Sequence, residues 1–125
     1  MSATARLATG LRGTVTAEVT QADTALALGS GDVAVLGTPR VLALVEAATV
    51  AAVAERLDED RTSVGTNVTL THMSPSPVGA RVVATAELTE VREKRLTFEV
   101  TVTQDEEQVA HGTVQRAVVS RNRFP

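Results

Sequence analysis

The sequence contains no cysteine, and this absence removes several kinds of chemistry at once. Without a thiol the chain has no disulfide framework, no cysteine nucleophile and no thiolate metal site. Aromatic residues make up only 2% of the 125 residues, with two phenylalanines and neither tryptophan nor tyrosine. Nucleic-acid modules that stack bases on aromatic side chains are therefore not expected.

An excess of positive charge is also missing. Twelve Lys and Arg against 15 Asp and Glu give a net charge of −3, so the sequence predicts no basic surface for nucleic acid or an anionic membrane. No segment is long enough to cross a bilayer, and the N-terminal region lacks the apolar stretch of a signal peptide. From these two absences we expect a cytoplasmic protein. A length of 125 residues with 43% hydrophobic residues fits one domain over residues 1–125.

The apolar segment 41–54 contains a single charged residue, Glu46. Helical spacing predicts that its side chain points inward with the neighbouring apolar stripe. A buried carboxylate without a partner costs several kcal/mol, so a chain that keeps one there is expected to use it, typically in an active site. The alternative is a glutamate at the edge of the stripe that reaches solvent. The stripe comprises Leu42, Val45, Thr49, Val50 and Val53.

Local patterns predict the elements of the N-terminal half. Alternating β-branched residues predict a strand over 13–20, and a short helical turn follows near 23–28. Thr38 as N-cap and Pro39 as the first helical residue predict the start of a long helix, which runs to about Leu57.

The C-terminal half is predicted to be entirely β. Four alternating segments joined by turn residues indicate antiparallel strands over 62–73, 80–92, 95–103 and 108–120. In the first of these we place on one face Val64, Thr66, Val68, Leu70 and His72. One strand, one long helix and an antiparallel meander make an α+β fold in which a sheet wraps a central helix. Because this helix is apolar on nearly every side, we expect a two-fold homodimer to cover it.

Three stretches of the sequence resemble the fluoroacetyl-coenzyme A thioesterase family, whose fold is the hotdog, an antiparallel β-sheet wrapped around a long central α-helix. They are GTPRVLALVE (37–46), SVGTNVTLTH (63–72) and GTVQRAVV (112–119). The family's spacing is matched by Thr38 and Glu46, eight positions apart, and by Gly65 and His72, seven apart. Arg116 follows a Gly-Thr pair in the last strand, as in the family. The resemblance is firmest over residues 37–120.

The resemblance implies hydrolysis of an acyl-coenzyme A thioester to a carboxylate and free coenzyme A, without a metal or redox cofactor. The family's catalytic residues fall on Thr38, Glu46 and His72, and its active-site glycine and arginine on Gly65 and Arg116. Its fluoroacetyl-specific member carries phenylalanines in a lid before the catalytic threonine, whereas residues 31–37 here contain no aromatic residue. The resemblance therefore extends to thioesterase chemistry and not to fluoroacetyl selectivity.

These residue types suit the reaction. Thioester hydrolysis needs an activated nucleophile, donors for the oxyanion and an acid for the thiolate. Glu46 can act as the nucleophile or as a general base for water, and His72 can shuttle protons near neutral pH. Thr38 can orient Glu46 or the water. Amides at the helix start and around Gly65 can hold the oxyanion.

Each residue also has a purely structural interpretation. Thr38 can be only an N-cap, His72 a core histidine, Gly65 a β-bulge and Arg116 an ion pair at the surface or dimer interface. His111 is taken as structural or surface. A basic cluster at one predicted turn is expected to be solvated rather than to bind coenzyme A phosphates; it comprises Arg92, Lys94 and Arg95.

Two other functions use the same fold. The first is a protein that binds acyl-coenzyme A without hydrolysing it. The second is a hydratase or dehydratase, but such enzymes usually carry a histidine near the start of the central helix or an Asp-His pair, which this sequence lacks. The two histidines of the sequence lack metal-ligand spacing, which argues against a zinc hydrolase.

Overall fold

The structure, a computed structural model, describes residues 2–124. The structure has two α-helices, α1 (Ala25–Leu28) and α2 (Thr38–Val53). It has five strands: β1 (Arg12–Glu18), β2 (Arg61–His72), β3 (Arg81–Arg92), β4 (Arg95–Gln104) and β5 (Glu107–Ser120). The five strands form one antiparallel sheet in the order β1-β3-β4-β5-β2. The predicted α+β plan, with one long helix and an antiparallel meander, is confirmed.

One face of the sheet packs against α2. Alternate residues of β3 and β4 are fully buried there, as their sequence pattern predicts: Val82, Ala84, Ala86, Leu88, Leu96, Phe98, Val100 and Val102. β1 crosses α2 so closely that a Cβ atom at Gly13 would overlap the backbone of Ala48 and Ala52. The sheet therefore holds the backbone of α2 at a fixed distance from β1, and this distance determines which parts of the sheet the side chains of α2 can contact.

α2 begins one residue earlier than its sequence pattern indicates. Gly37 is the N-cap, Thr38 is the first helical residue and Pro39 the second. Proline is tolerated at this position because the amides of the first turn have no partner within the helix. The prediction that Thr38 caps the helix is therefore wrong, and its hydroxyl is free for another partner. The helix ends at Val53 and continues as a 3₁₀ turn over Ala54–Arg56.

Glu46 lies at the edge of the buried stripe of α2 and not within it. The side chain is 33% exposed, and Val50, one turn later, is exposed as well. The stripe that packs on the sheet is offset from the predicted one and comprises Val41, Leu44, Val45, Ala48, Thr49, Ala52 and Val53. The expectation that Glu46 points inward with the apolar stripe is therefore wrong, and the alternative of a glutamate at the edge of the stripe is correct.

β2 contains a β-bulge. Gly65 pairs with Arg116 of β5 and Asn67 pairs with Gln115, so Thr66 is an extra residue with no partner of its own in the β5 ladder. An extra residue reverses the alternation of side chains along a strand.

The bulge changes which residues of β2 face α2. Gly65 lies on the same side as His72, because both pair with inward residues of β5. The prediction that Val64 and Thr66 share a face with His72 is wrong for this reason. A glycine and a histidine that would otherwise face opposite sides are both brought toward the helix.

Candidate active site

The first pair of candidate residues joins the start of α2 to the end of β2. Thr38 Oγ1 lies 2.9 Å from His72 Nδ1. Burial of the half-buried ring lowers the pKa of His72, and the nearby backbone of Ser74 opposes part of that effect. The imidazole is therefore neutral at pH 7. In the tautomer protonated at Nε2, Nδ1 accepts a hydrogen bond from the Thr38 hydroxyl.

The opposite ring nitrogen of His72 is buried. Within residues 2–124, its Nε2 atom has no partner at hydrogen-bond distance. A buried ring nitrogen without a partner costs free energy. In the tautomer protonated at Nε2, this N–H group is a buried donor that residues 2–124 leave unpaired.

The second pair of candidate residues joins the middle of α2 to β5. Arg116 Nη1 donates to Glu46 Oε2 at 3.1 Å. Arg116 is only 7% exposed, and burial lowers its pKa while the Glu46 carboxylate opposes that shift. The guanidinium remains charged at neutral pH, because arginine is not deprotonated in proteins. Its charge holds the carboxylate of Glu46 in one orientation.

Gly65 provides the space for that carboxylate. A Cβ atom at this position would overlap Glu46 Oε2 and would contact Arg116 Nη1 at 3.5 Å. Any other residue at position 65 would therefore displace the glutamate side chain. The bulge beside Gly65 leaves the backbone of this segment exposed, so a ligand can approach it.

The two pairs are separated along α2. Thr38 and Glu46 are eight residues apart, which corresponds to about 12 Å of helix. Among the described residues, no hydrogen bond joins Glu46 to His72. All five sequence-predicted site residues line the α2-facing side of the sheet or α2 itself, but one protomer assembles them as two half-sites.

A cavity of about 320 Å³ adjoins the Thr38–His72 pair. Its walls are the loop over residues 30–37 and the segment over 73–75, which follows β2. The apolar part of the wall is aliphatic and comprises Ala25, Val33, Val35, Leu36, Met73 and Pro75. A space of this size and lining suits a short aliphatic group.

Ser63 contacts the candidate site, which the sequence did not reveal. Its hydroxyl and its carbonyl oxygen both accept hydrogen bonds from Arg116. The available signal was its position two residues before Gly65, which places it on the same face of β2. That signal is weak without knowing that β5 brings an arginine to this point.

The remaining sequence candidates lie outside the two half-sites. His111 is exposed on β5. The basic cluster is exposed at the β3–β4 turn, as expected. Within residues 2–124 there is no group of three or more metal-ligating side chains. None of the helices in that range is long and apolar enough to span a membrane.

Comparison with known proteins identifies the family. The family model described as fluoroacetyl-CoA-specific thioesterase matches residues 19–122. The chain belongs to this family. A curated relative, the fluoroacetyl-CoA thioesterase of Streptantibioticus cattleyicolor, is 34% identical over 90 residues, which are 72% of this chain. The matched part spans 65% of that relative's length.

Solved structures agree with this assignment. The fluoroacetyl-CoA thioesterase FlK superposes with a TM-score of 0.87 and 30% identity, covering 94% of this chain and 92% of that one. A phenylalanine-to-alanine variant of that enzyme, in complex with fluoroacetate and CoA, gives a TM-score of 0.88 at 30% identity, over 95% of this chain and 100% of that one. A hot-dog-like protein from Thermanaerovibrio acidaminovorans has 21% identity and a TM-score of 0.87, over 98% and 91% of the two chains. The predicted hotdog fold and family are confirmed.

Proposed function

We propose that this protein hydrolyses acyl-coenzyme A thioesters to a carboxylate and free coenzyme A. The observation that carries the proposal is the pairing of Thr38 with His72 and of Glu46 with Arg116, the residues to which the sequence resemblance assigns the family's site. The names of the relatives, which describe thioesterases acting on fluoroacetyl-CoA, support a coenzyme A thioester as substrate. A coenzyme A substrate also agrees with the cytoplasmic location expected from the sequence.

The complete site is proposed to form in a two-fold homodimer. β2 is the last strand of the sheet order, and its outer edge pairs with no strand of residues 2–124. A strand of 12 residues with a free edge is prone to pair with a second copy. Antiparallel pairing of two β2 strands would extend the sheet continuously from one protomer to the other.

We propose a register for that pairing in which the two-fold axis passes through Thr69. Residues that face each other across two strands must lie on the same side of the sheet. If the two-fold axis passes through Thr69, and Thr66 is the extra residue, His72 lies opposite the partner's Gly65. The partner's Glu46, which contacts that glycine, then approaches His72 and Thr38. Each complete site takes one half-site from each protomer.

The reaction in this site has two possible routes for the carboxylate of Glu46. As a general base, it accepts a proton from water while the water oxygen attacks the carbonyl carbon. As a nucleophile, it attacks the carbonyl carbon itself and forms an anhydride, which water then hydrolyses. In both routes the C–S bond breaks and the coenzyme A thiolate takes up a proton delivered through His72. The backbone amides near Gly65 and at the start of α2 stabilise the oxyanion.

The acyl group is proposed to be short and aliphatic. Its carbonyl lies at the Thr38–His72 pair, and the adjoining cavity of about 320 Å³ receives the chain. The walls of this cavity contain no phenylalanine, tyrosine or tryptophan, so we do not extend the fluoroacetyl selectivity of the relatives to this protein. No metal or redox cofactor enters the proposed reaction.

A thiol-release screen tests the proposal. Coenzyme A release is measured for acyl-coenzyme A substrates of increasing chain length, with the wild type, Glu46→Gln and His72→Ala. We expect release by the wild type and a loss of about 100-fold or more in each variant. No release over the whole panel, or equal rates in the variants, overturns the proposal. Tight binding in calorimetry without release would indicate the non-catalytic acyl-coenzyme A binding protein instead.

A further inference from the structure

Arg116 makes two of its three hydrogen bonds to one residue, Ser63. Its Nε donates to Ser63 Oγ at 2.8 Å, and its Nη2 donates to the Ser63 carbonyl oxygen at 3.0 Å. The third bond, from Nη1, goes to Glu46 Oε2 at 3.1 Å. Ser63 and Glu46 therefore hold the guanidinium from two sides.

The geometry of a guanidinium makes this contact specific. Its N–H groups lie in a rigid plane, so two bonds to one residue fix both the tilt and the rotation of the group. The direction of the third donor is then determined as well. Arg116 is 7% exposed, which leaves little room for water to replace a missing partner. Removing the Ser63 hydroxyl would leave a buried, charged N–H group unsatisfied.

We propose that Ser63 is a positioning residue for the thioesterase reaction. It orients Arg116, and through Arg116 it orients the carboxylate of Glu46. This inference rests on the proposed function. Gly65, two residues later on the same face of β2, leaves the space into which that carboxylate fits.

The pairing of β2 in the sheet does not depend on the side chain of Ser63. β2 pairs with β5 through backbone bonds, in which Ser63 lies opposite Val118, and this pairing does not use the hydroxyl. Within residues 2–124 the Ser63 hydroxyl has one hydrogen-bond partner, Arg116. Replacing Ser63 by alanine is therefore expected to alter the orientation of Arg116 and to leave the sheet intact.

Three substitutions separate the hydroxyl from the volume of the side chain. We expect Ser63→Ala to lower kcat by about tenfold to a hundredfold, the loss typical of one hydrogen bond to a charged group, with little change in KM. Ser63→Thr keeps the hydroxyl and is expected to stay within a few-fold of the wild type. Ser63→Val has the shape of threonine without the hydroxyl and is expected to behave like Ser63→Ala.

A double substitution tests whether Ser63 acts through Glu46. In the Glu46→Gln background, adding Ser63→Ala is expected to cause almost no further loss of kcat, because the group being positioned is already absent. A purely structural contribution would lower the rate by the same factor in both backgrounds. That result, or wild-type kcat in Ser63→Ala, overturns the inference.

A measurement without substrate separates this inference from the proposed function. In ¹⁵N-resolved NMR spectra, the Arg116 Nε–H proton is expected to exchange slowly with solvent in the wild type and in Ser63→Thr, and faster in Ser63→Ala. Equal exchange in all three overturns the positioning role. If the wild type hydrolyses no thioester but the exchange differs as expected, the proposed function fails while the contact between Ser63 and Arg116 stands.

Discussion

The Thr38 hydroxyl lies 2.9 Å from Nδ1 of His72, across 34 positions of sequence. The contact is possible because Gly37, and not Thr38, occupies the N-cap of α2. A threonine used as a cap would direct its hydroxyl to the amides of its own helix. Here the hydroxyl is directed to a histidine on a neighbouring strand, and this gives the first prediction.

Thr38→Val is expected to lower kcat/KM by about 100-fold or more, because it removes the hydroxyl that pairs with His72 and keeps the shape of the side chain. Thr38→Ser retains a hydroxyl and is expected to remain within about tenfold of the wild type. Both are measured by thiol release, with thermal unfolding as a check on folding. Equal loss in the two variants would show that the hydroxyl is not the essential group.

The pH dependence of activity follows from the environment of His72. Burial lowers its pKa below the ordinary 6.5, so the neutral ring persists to lower pH than in a free histidine. We expect kcat/KM to be constant through neutral pH and to fall on acidification. The midpoint of this fall, which reports protonation of His72, is expected below pH 6.5. An imidazole limb above pH 6.5 in the measured profile would contradict this assignment.

The same shift has a consequence for stability. Because the folded-state pKa of His72 is lower than the unfolded one, protonation favours the unfolded chain. The contribution is complete above the unfolded pKa of about 6.5 and is lost as pH falls through the lower folded value. On acidification, the unfolding free energy of the wild type should therefore fall by more than that of His72→Gln.

Gly65→Ala is expected to reduce activity by about 100-fold or more and to change stability by less than about 1 kcal/mol. The new Cβ atom overlaps Glu46 Oε2, and a flexible side chain can move aside at low cost to the fold. Gly112→Ala is the matched control, since its Cβ atom would overlap the backbone of Thr69, which cannot move freely. That variant should lose stability. A large fall in the melting temperature of Gly65→Ala would contradict the account.

The proposed dimer register predicts a disulfide between two copies of one residue. The chain has no cysteine, so Thr69→Cys can crosslink only to the partner's copy. Antiparallel neighbours at the axis have Cα atoms about 4.5–5.5 Å apart, within disulfide range. In Thr71→Cys the two copies would be about 13 Å apart and should not crosslink. Non-reducing electrophoresis after mild oxidation reads both results, and crosslinking of Thr71→Cys alone would exclude this register.

The sequence was most informative where packing follows a simple period. Val82 to Leu88 and Leu96 to Val102 alternate strictly, and both strands bury the predicted face because the sheet lies on one helix. The family motif also identified residues that the fold brings into two pairs. Periodicity gave the direction of Glu46 only approximately, since it does not say how far the sheet extends over the edge of the helix.

Other features depend on contacts between distant segments. A glycine within a strand is compatible with a bulge, but it does not specify that Thr66 is the extra residue. The role of Ser63 depends on Arg116, 53 positions away, and therefore on the register of β2 and β5. Thr38 satisfied the local rule for an N-cap, and the preceding glycine took that position instead. In these cases tertiary packing decided between locally equivalent arrangements.

Subunit complementation tests the shared site most directly. Glu46→Gln and His72→Ala are each expected to be inactive as homodimers. In a mixed dimer, one site carries both substitutions and the other carries neither. When the two variants are mixed in equal amounts and exchange subunits freely, half of the dimers are mixed. Each mixed dimer has one intact site out of two, so the mixture should recover about one quarter of wild-type activity. No recovery, with mixed dimers demonstrated by native mass spectrometry, would contradict a site built from two protomers.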